Sequence, residues 1–240
     1  MRILYWVVVI GALLLSGGSA FLFFGETNMD PEAQARADFE AAIVDQRPAA
    51  ANGSTSEQYG LAETYRTGPG DLRDPGLARF WYRKAAEQGH IASQFELGML
   101  YVHGDGVPQS YHRAAEWLRL AAGLGRHRDA QFAMGDMYFH GRGVPHDYGA
   151  AMKWFSKAAE RGHPVAQYIV GTMYAEGWGI ETDDLEAYKW LTLALRGRDA
   201  VLAYDVKSDP QERREKLILR MNRSQIELAR KVTAEWKPRQ

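Results

Sequence analysis

Histidine is the one side chain suited to metal binding or proton transfer that recurs in a pattern along this chain. His103 and His140 lie 37 residues apart, and His90 and His163 occupy matching places in the same spacing scheme. Packed helices lie about 8–10 Å apart. Ligands bound at about 2 Å from one zinc must come within roughly 4 Å of each other. Equivalent histidines on neighbouring helices are therefore poorly placed to share a metal, and we predict no metal site.

No other pattern in the sequence indicates catalysis. It contains no His-Glu-x-x-His, no Gly-x-Ser-x-Gly, no P-loop and no dinucleotide-binding glycine pattern. The absence of cysteine excludes disulfides, thiolate metal sites and thiol catalysis, and the net charge of -1 gives no basic field for nucleic acid. We therefore predict no catalytic residues, no cofactor and no nucleic-acid partner, and we do not expect an enzyme.

Four regularly spaced tryptophans mark a recurring helix, the kind of element that would have to position any functional side chain. Trp81, Trp117, Trp154 and Trp190 are separated by 36, 37 and 36 residues. Each follows a small residue by three positions and precedes an alanine by four, which places all three on one helical face. A fixed period of this length is typical of stacked helical repeats. We predict that these tryptophans are structural.

The other helix of each period precedes the tryptophan helix and is the first helix of the repeat; it carries an apolar residue, a small residue and a tyrosine at fixed spacing. The small residue is Gly98, Gly135 or Gly171 in three of the four copies. Glycine inside a helix costs roughly 1 kcal/mol relative to alanine, so its recurrence predicts close approach of a paired helix, at Ala114, Ala151 and Ala187. Two glycines two residues apart follow each of these helices, as in Gly141-Arg142-Gly143, and predict a tight exit with positive φ.

The combined pattern resembles the Sel1-like repeat, a relative of the tetratricopeptide repeat. The pattern reads Ala-x-x-Leu-Gly-x-x-Tyr-x-x-Gly-x-Gly-Val, followed by Ala-x-x-Trp-x-x-x-Ala-Ala-x-x-Gly, and recurs over residues 56–199. The first copy has Ala62 in place of glycine, and the fourth lacks the Val-Pro that follows the second turn glycine. The resemblance implies an all-α fold: a right-handed α-solenoid of four helix-turn-helix repeats with capping helices at both ends.

The amino terminus carries an apolar run at residues 3–24, with no charge between Arg2 and Glu26. A helix of that length reaches about 33 Å and could cross a bilayer core of roughly 30 Å. We expect a single-pass inner-membrane anchor, with Arg2 in the cytoplasm and the repeats in the periplasm. The alternative is a signal peptide cut after Ala20 and release into the periplasm, which would leave residues 21–24 as an apolar mature end.

The domain prediction has four segments. They are a transmembrane helix or signal peptide at 1–25, an acidic helix and linker at 26–55, the repeats at 56–199 and a helical cap at 200–240. Within the second segment we expect a helix from Glu32 to Gln46 that ends at Pro48.

The strongest functional prediction is a surface, because the resemblance implies partner binding by the inner face of the first helix of each repeat. An aromatic row with the repeat period, two residues before each apolar-small pair, could line that groove or could pack between repeats. Trp178 stands alone in a turn, where an exposed tryptophan would be a candidate contact. The predicted partner-binding residues are Tyr59, Glu63, Phe95, Met99, His103, Phe132, Asp136, His140, Tyr168, Thr172 and Trp178.

The predicted function is therefore a protein–protein interaction scaffold that holds a protein or peptide in its groove and is tethered to the membrane through residues 3–24. The alternative is an envelope hydrolase or glycan-binding accessory protein, which would be favoured by a cluster of carboxyl groups with raised pKa in one pocket.

Overall fold

A computed structural model describes residues 30–123 and 126–239 of the chain. The predictions for residues 3–24 lie outside the described residues. Residues 35–240 form one compact unit. Within the described residues every regular element is a helix. The α-helices are α1 (Pro31–Ala51), α2 (Thr55–Thr67), α3 (Pro75–Glu87), α4 (Ile91–His103), α5 (Tyr111–Gly123), α6 (Arg128–His140), α7 (Tyr148–Glu160), α8 (Pro164–Glu176), α9 (Asp184–Ala194), α10 (Arg198–Tyr204), α11 (Pro210–Ile218) and α12 (Arg223–Glu235).

Helix α1 continues past Pro48 to Ala51, so the predicted stop at this proline is wrong. Proline removes one intrahelical hydrogen bond, to the carbonyl of Val44. Val44 is among the most exposed hydrophobic residues, and on this open side water can satisfy the carbonyl. The helix ends instead before Gly53, whose φ of 94° breaks the helical path.

The later part of α1 caps the first repeat. Ala50 is buried, and its carbonyl accepts a hydrogen bond of 3.0 Å from the Gln58 side chain. The Phe39 ring packs edge-on against Tyr65, with 6.3 Å between ring centroids. These contacts give the outer face of the first repeat the cover that an array requires at its ends.

Four helix pairs form the repeats: α2 with α3, α4 with α5, α6 with α7, and α8 with α9. Most of the second helices begin at a side-chain cap; Asp147, for example, accepts a hydrogen bond of 2.9 Å from the Ala150 amide. The turn glycines of the second, third and fourth repeats have the expected positive φ, with Gly141 at 66° and Gly143 at 71°, whereas Gly68 in the first repeat has a φ of -51°. The predicted helical repeat is confirmed.

The centre of each repeat lies one residue beyond the tryptophan. Trp81, Trp117 and Trp154 are half-buried at the side of the core, and only Trp190 of the four is buried. The residues that follow them have at most 1 % of their surface exposed and keep the same spacing: Tyr82, Leu118, Phe155 and Leu191.

The helix glycines meet these central residues, which corrects the predicted partner of each glycine. A Cβ added to Gly135 would lie 2.5 Å from Cδ1 of Phe155, so the close approach itself is real. A helical side chain leans towards the amino terminus of its helix and covers the preceding turn. Gly135 therefore faces Phe155 and not Ala151. Gly98 and Gly171 likewise face Leu118 and Leu191, not the predicted Ala114 and Ala187.

A buried glutamine ties each repeat to the helix before it. The Gln94 side chain donates to the Ala86 carbonyl at 3.2 Å, and Gln167 donates to the Ala159 carbonyl at 3.1 Å. The same bond recurs at Gln58 and Gln131. Because a buried amide must be hydrogen-bonded, these residues hold the carboxyl end of one helix against the start of the next.

After Gly197 the repeat ends, and α10, α11 and α12 cover the fourth repeat. Val201 of α10 and Leu217 of α11 are buried against it. None of the helices in residues 30–123 and 126–239 is both long and apolar enough to cross a membrane.

Candidate partner-binding cleft

A cleft of about 740 Å³ runs across the first helices of the second and third repeats. Its floor is apolar and includes Phe95 and Met99 of α4 together with Phe132, Ala133 and Met137 of α6. The structure thereby brings together the largest group of residues predicted to bind a partner: Phe95, Met99, His103, Phe132, Asp136 and His140.

A smaller cleft of about 300 Å³ continues towards the fourth repeat and shares Asp136 and His140 with the first. It contains three further predicted residues, Tyr168, Thr172 and Trp178. The buried hydroxyl of Thr172 has no hydrogen-bond partner in the described part of the chain. Because this hydroxyl is enclosed by the surrounding protein, a ligand in the cleft would not reach it.

Tyr59 and Glu63 are not brought to either cleft. Tyr59 packs against Tyr82 and His90, with ring centroids 5.9 and 5.1 Å away. The Glu63 carboxylate accepts a hydrogen bond from the Tyr82 hydroxyl and forms an ion pair with Arg66 at 2.5 Å. These two residues therefore contribute to the packing of the first repeat.

The aromatic row combines the two roles that the sequence left open. Phe95 stacks on His127 with 4.6 Å between centroids, and Phe132 stacks on His163 at 4.3 Å with an interplanar angle of 11°. Each histidine caps the first helix of the following helix pair, so the row forms the joint between repeats. Phe95 and Phe132 are nevertheless only half-buried, and they also line the cleft.

The histidines of this joint are helix caps. Nδ1 of His163 accepts a hydrogen bond of 3.1 Å from the Ala166 amide, and His90 and His127 cap their helices in the same way. The predicted pair of His90 and His163 omits His127, which falls between them at the repeat spacing. Aligning all four copies on their tryptophans would have revealed it.

Acid should weaken this joint. Burial lowers the pKa of the His163 imidazole to about 4 despite the opposing charge of Asp129, whereas an unfolded histidine titrates near 6.5. Between these values the unfolded chain binds more protons. Stability that is fully present above pH 6.5 is therefore lost as the pH falls towards 4, by up to about 3 kcal/mol from His163 alone.

The variant His163→Asn, which keeps a capping side chain, should show a shallower loss of stability between pH 6.5 and 4 in urea denaturation. The control is His112→Asn, because the His112 side chain is 80% exposed. Equal pH dependence in the two variants would contradict the assignment.

Tyr204 of the C-terminal cap forms a wall between the two clefts. Its ring meets Phe132 edge-on at 5.7 Å, and its hydroxyl donates to the Asp136 carboxylate at 3.3 Å. Burial, together with the Asp136 charge, raises the pKa of Tyr204 to about 12. Asp136 also lies 3.2 Å from Nε2 of His140 and 3.6 Å from Arg142. Sequence reasoning missed Tyr204 because it lies outside the repeats.

Trp178 belongs to an aromatic cluster at the edge of the smaller cleft. Its ring centroid lies 6.0 Å from Phe139 and 6.4 Å from Tyr148. It remains 41 % exposed despite these contacts. The ring is thus held in place by its neighbours and still reaches solvent.

The lining of the cleft is mainly apolar. No group of three or more His, Asp or Glu residues in the described ranges could hold a metal ion. The carboxylate at its centre, Asp136, is already engaged by Tyr204, His140 and Arg142.

The comparisons with known proteins agree with the repeat architecture. The family model described as "Sel1 repeat" matches four times, at residues 58–90, 91–125, 128–163 and 164–199. No curated protein matches the chain. A Sel1 repeat protein from Oxalobacter formigenes is similar in structure, with 29% identity, a TM-score of 0.60 and coverage of 70% of this chain and 76% of that one.

A protective antigen present in uropathogenic Escherichia coli strains is similar at 24% identity and a TM-score of 0.48, covering 85% of this chain and 53% of that one. Sel1 repeat proteins generally act as non-enzymatic scaffolds for protein interaction. The four matches cover more than half of the residues, and the chain belongs to the Sel1 repeat family.

Proposed function

We propose that this protein is an interaction scaffold that holds a segment of a partner protein in the cleft between α4 and α6. The observation that carries the proposal is the cleft itself, whose apolar floor of Phe95, Met99 and Phe132 remains open to solvent. Interface energy concentrates in a few such apolar and aromatic anchors near the centre of a site.

A photo-crosslinking side chain at Met99 should capture a partner in living cells, whereas the same group at the exposed Arg119 of α5 should not. The variant Ala133→Gln fills the cleft, and we expect it to weaken capture at position 99. A lost anchor of about 2 kcal/mol corresponds to roughly a thirtyfold loss of affinity. Thermal melts of each variant establish that the fold is retained, and equal capture at positions 99 and 119 would rule out the cleft.

We also propose that residues 3–24 tether the scaffold to the inner membrane with the repeats in the periplasm. The support is the uncharged apolar run between Arg2 and Glu26. Washing membranes at high pH should leave the chain in the pellet, with its N-terminal peptide detected by mass spectrometry. A soluble product that begins at Phe21 would instead indicate a cleaved signal peptide.

A further inference from the structure

Two carboxylates near the cleft form no ion pair with any residue that the structure describes, whereas the neighbouring arginines are paired. Arg128 pairs with Asp129 at 3.2 Å and Arg142 lies 3.6 Å from Asp136, while Arg66 is occupied by Glu63 in the first repeat. These guanidinium groups are therefore already neutralised by acids on the same face.

Glu96 has no ion-pair partner in the described part of the chain. It follows Phe95 on α4, and its side chain is half-buried. Burial raises the pKa of its carboxyl, and the negative charges of Glu63 and Asp129 raise it further. The positive charge of Arg66 opposes this effect only in part. The result is a partly desolvated carboxyl group among acids, a state that a cation from outside the chain would relieve.

Asp205 supplies the second carboxylate, beside Tyr204 in the wall of both clefts. The Ser208 hydrogen bond, the Lys207 amide and, to a smaller extent, the charge of Lys207 lower its pKa, so this exposed group stays negatively charged. It forms no ion pair among the residues that the structure describes; its hydrogen bonds come from the Ser208 hydroxyl at 2.7 Å and the Lys207 amide at 3.0 Å. His103 and His140 also line the larger cleft, and Nε2 of His140 already lies 3.2 Å from the Asp136 carboxylate.

From this arrangement we infer that the cleft binds a peptide segment whose apolar centre is flanked by lysine or arginine residues. The inference rests on the proposed function. The apolar centre lies on Phe95, Met99 and Phe132, and the flanking cations approach Glu96 and Asp205. Charge complementarity of this kind mainly determines which segments are accepted and how fast they bind. An acidic segment would place its charges against two unpaired carboxylates and be rejected.

The test is selection of a random decapeptide display library on the full chain in nanodiscs of zwitterionic lipid, with empty nanodiscs used to remove lipid binders. Enriched peptides should contain an apolar centre and an excess of Lys and Arg over the library. The double variant Glu96→Gln/Asp205→Asn should weaken the best peptide about five- to tenfold, in line with two partly exposed ion pairs. Glu116→Gln, which removes an exposed charge on α5, should leave its affinity unchanged.

The outcomes separate this inference from the proposed function. Enriched peptides that are blocked by Ala133→Gln but carry neutral or acidic flanks, or that ignore the double variant, overturn the inference and leave the cleft in place. Enriched peptides that are all insensitive to Ala133→Gln, or the absence of any enrichment, overturn both. Thermal melts that match the parent chain are required of every variant before its affinity is compared.

Discussion

Replacing Gly143 with alanine is expected to lower the free energy of unfolding by about 2–5 kcal/mol, through two separate effects. Gly143 has a φ of 71°, which costs any other residue roughly 1–2 kcal/mol. An added Cβ would also overlap the carbonyl group of Tyr111 and lie 2.7 Å from the His112 nitrogen. These are backbone atoms at the start of α5, in the preceding repeat, and they cannot rotate away. The alanine would therefore force two repeats apart.

The matched control is Gly89→Ala. Gly89 has a φ of 89°, but an added Cβ there would meet nothing within 4 Å. Its substitution should cost only the conformational part, about 1–2 kcal/mol. Urea denaturation of both variants at pH 7 measures the difference. If Gly143→Ala costs no more than Gly89→Ala, the turn does not pack against the neighbouring repeat as described.

The sequence predicted this turn and the positive φ of its glycines, but not the contact that Gly143 makes with the preceding repeat. Two glycines two residues apart indicated positive φ, because a helix exit of this shape needs it. The second demand on Gly143, the approach of Tyr111, lies between repeats and leaves no local signature. Gly179 repeats the relation with Tyr148. The period was visible in the sequence, whereas the partner of each periodic residue required the packing.

The need for packing information also explains why the sequence indicated the tryptophans, and not the residues that follow them, as the centre of each repeat. Tryptophan is the most conspicuous periodic residue, yet Trp154 lies at the side of the core with Lys157 over its ring, 4.1 Å from the centroid. The central position holds Tyr82, Leu118, Phe155 and Leu191, whose chemical variety conceals the period from a search for identical residues. Which residue of each helix is buried depends on the direction in which its side chain points in the packed array, and a sequence motif does not contain that information.

Part of the candidate site could be predicted from the sequence, because it repeats. Phe95 and Phe132 share one repeat position, and their helices place them side by side. Tyr204 and Asp205 come from the C-terminal cap, where no pattern indicates the element against which they fold. The side of the cleft formed by the repeats was therefore predictable, and the wall that divides it was not.

The variant Phe155→Ala should lower the free energy of unfolding by about 3–5 kcal/mol, the usual cost of deleting a fully buried aromatic ring. Phe155 has only 1 % of its surface exposed, and it meets both Phe132 at 5.6 Å and Phe139 at 6.3 Å between ring centroids. Trp154→Ala should cost less, because its half-buried ring loses less contact. Urea denaturation ranks the two variants. A larger loss of stability in Trp154→Ala would contradict the assignment of Phe155 to the centre of the repeat.

A double-mutant cycle then tests whether Phe155 is the reason for the glycine opposite it. Gly135→Ala alone should cost about 1–3 kcal/mol, because the new Cβ lies 2.5 Å from Cδ1 of the Phe155 ring and the packed core leaves the ring little room to move. In Phe155→Ala the same methyl group enters the space that the ring has left. The double variant should therefore be more stable than the sum of the two losses predicts, by at least about 1 kcal/mol, as expected for residues in direct contact. If the two losses are strictly additive, a residue other than Phe155 is what requires glycine at position 135.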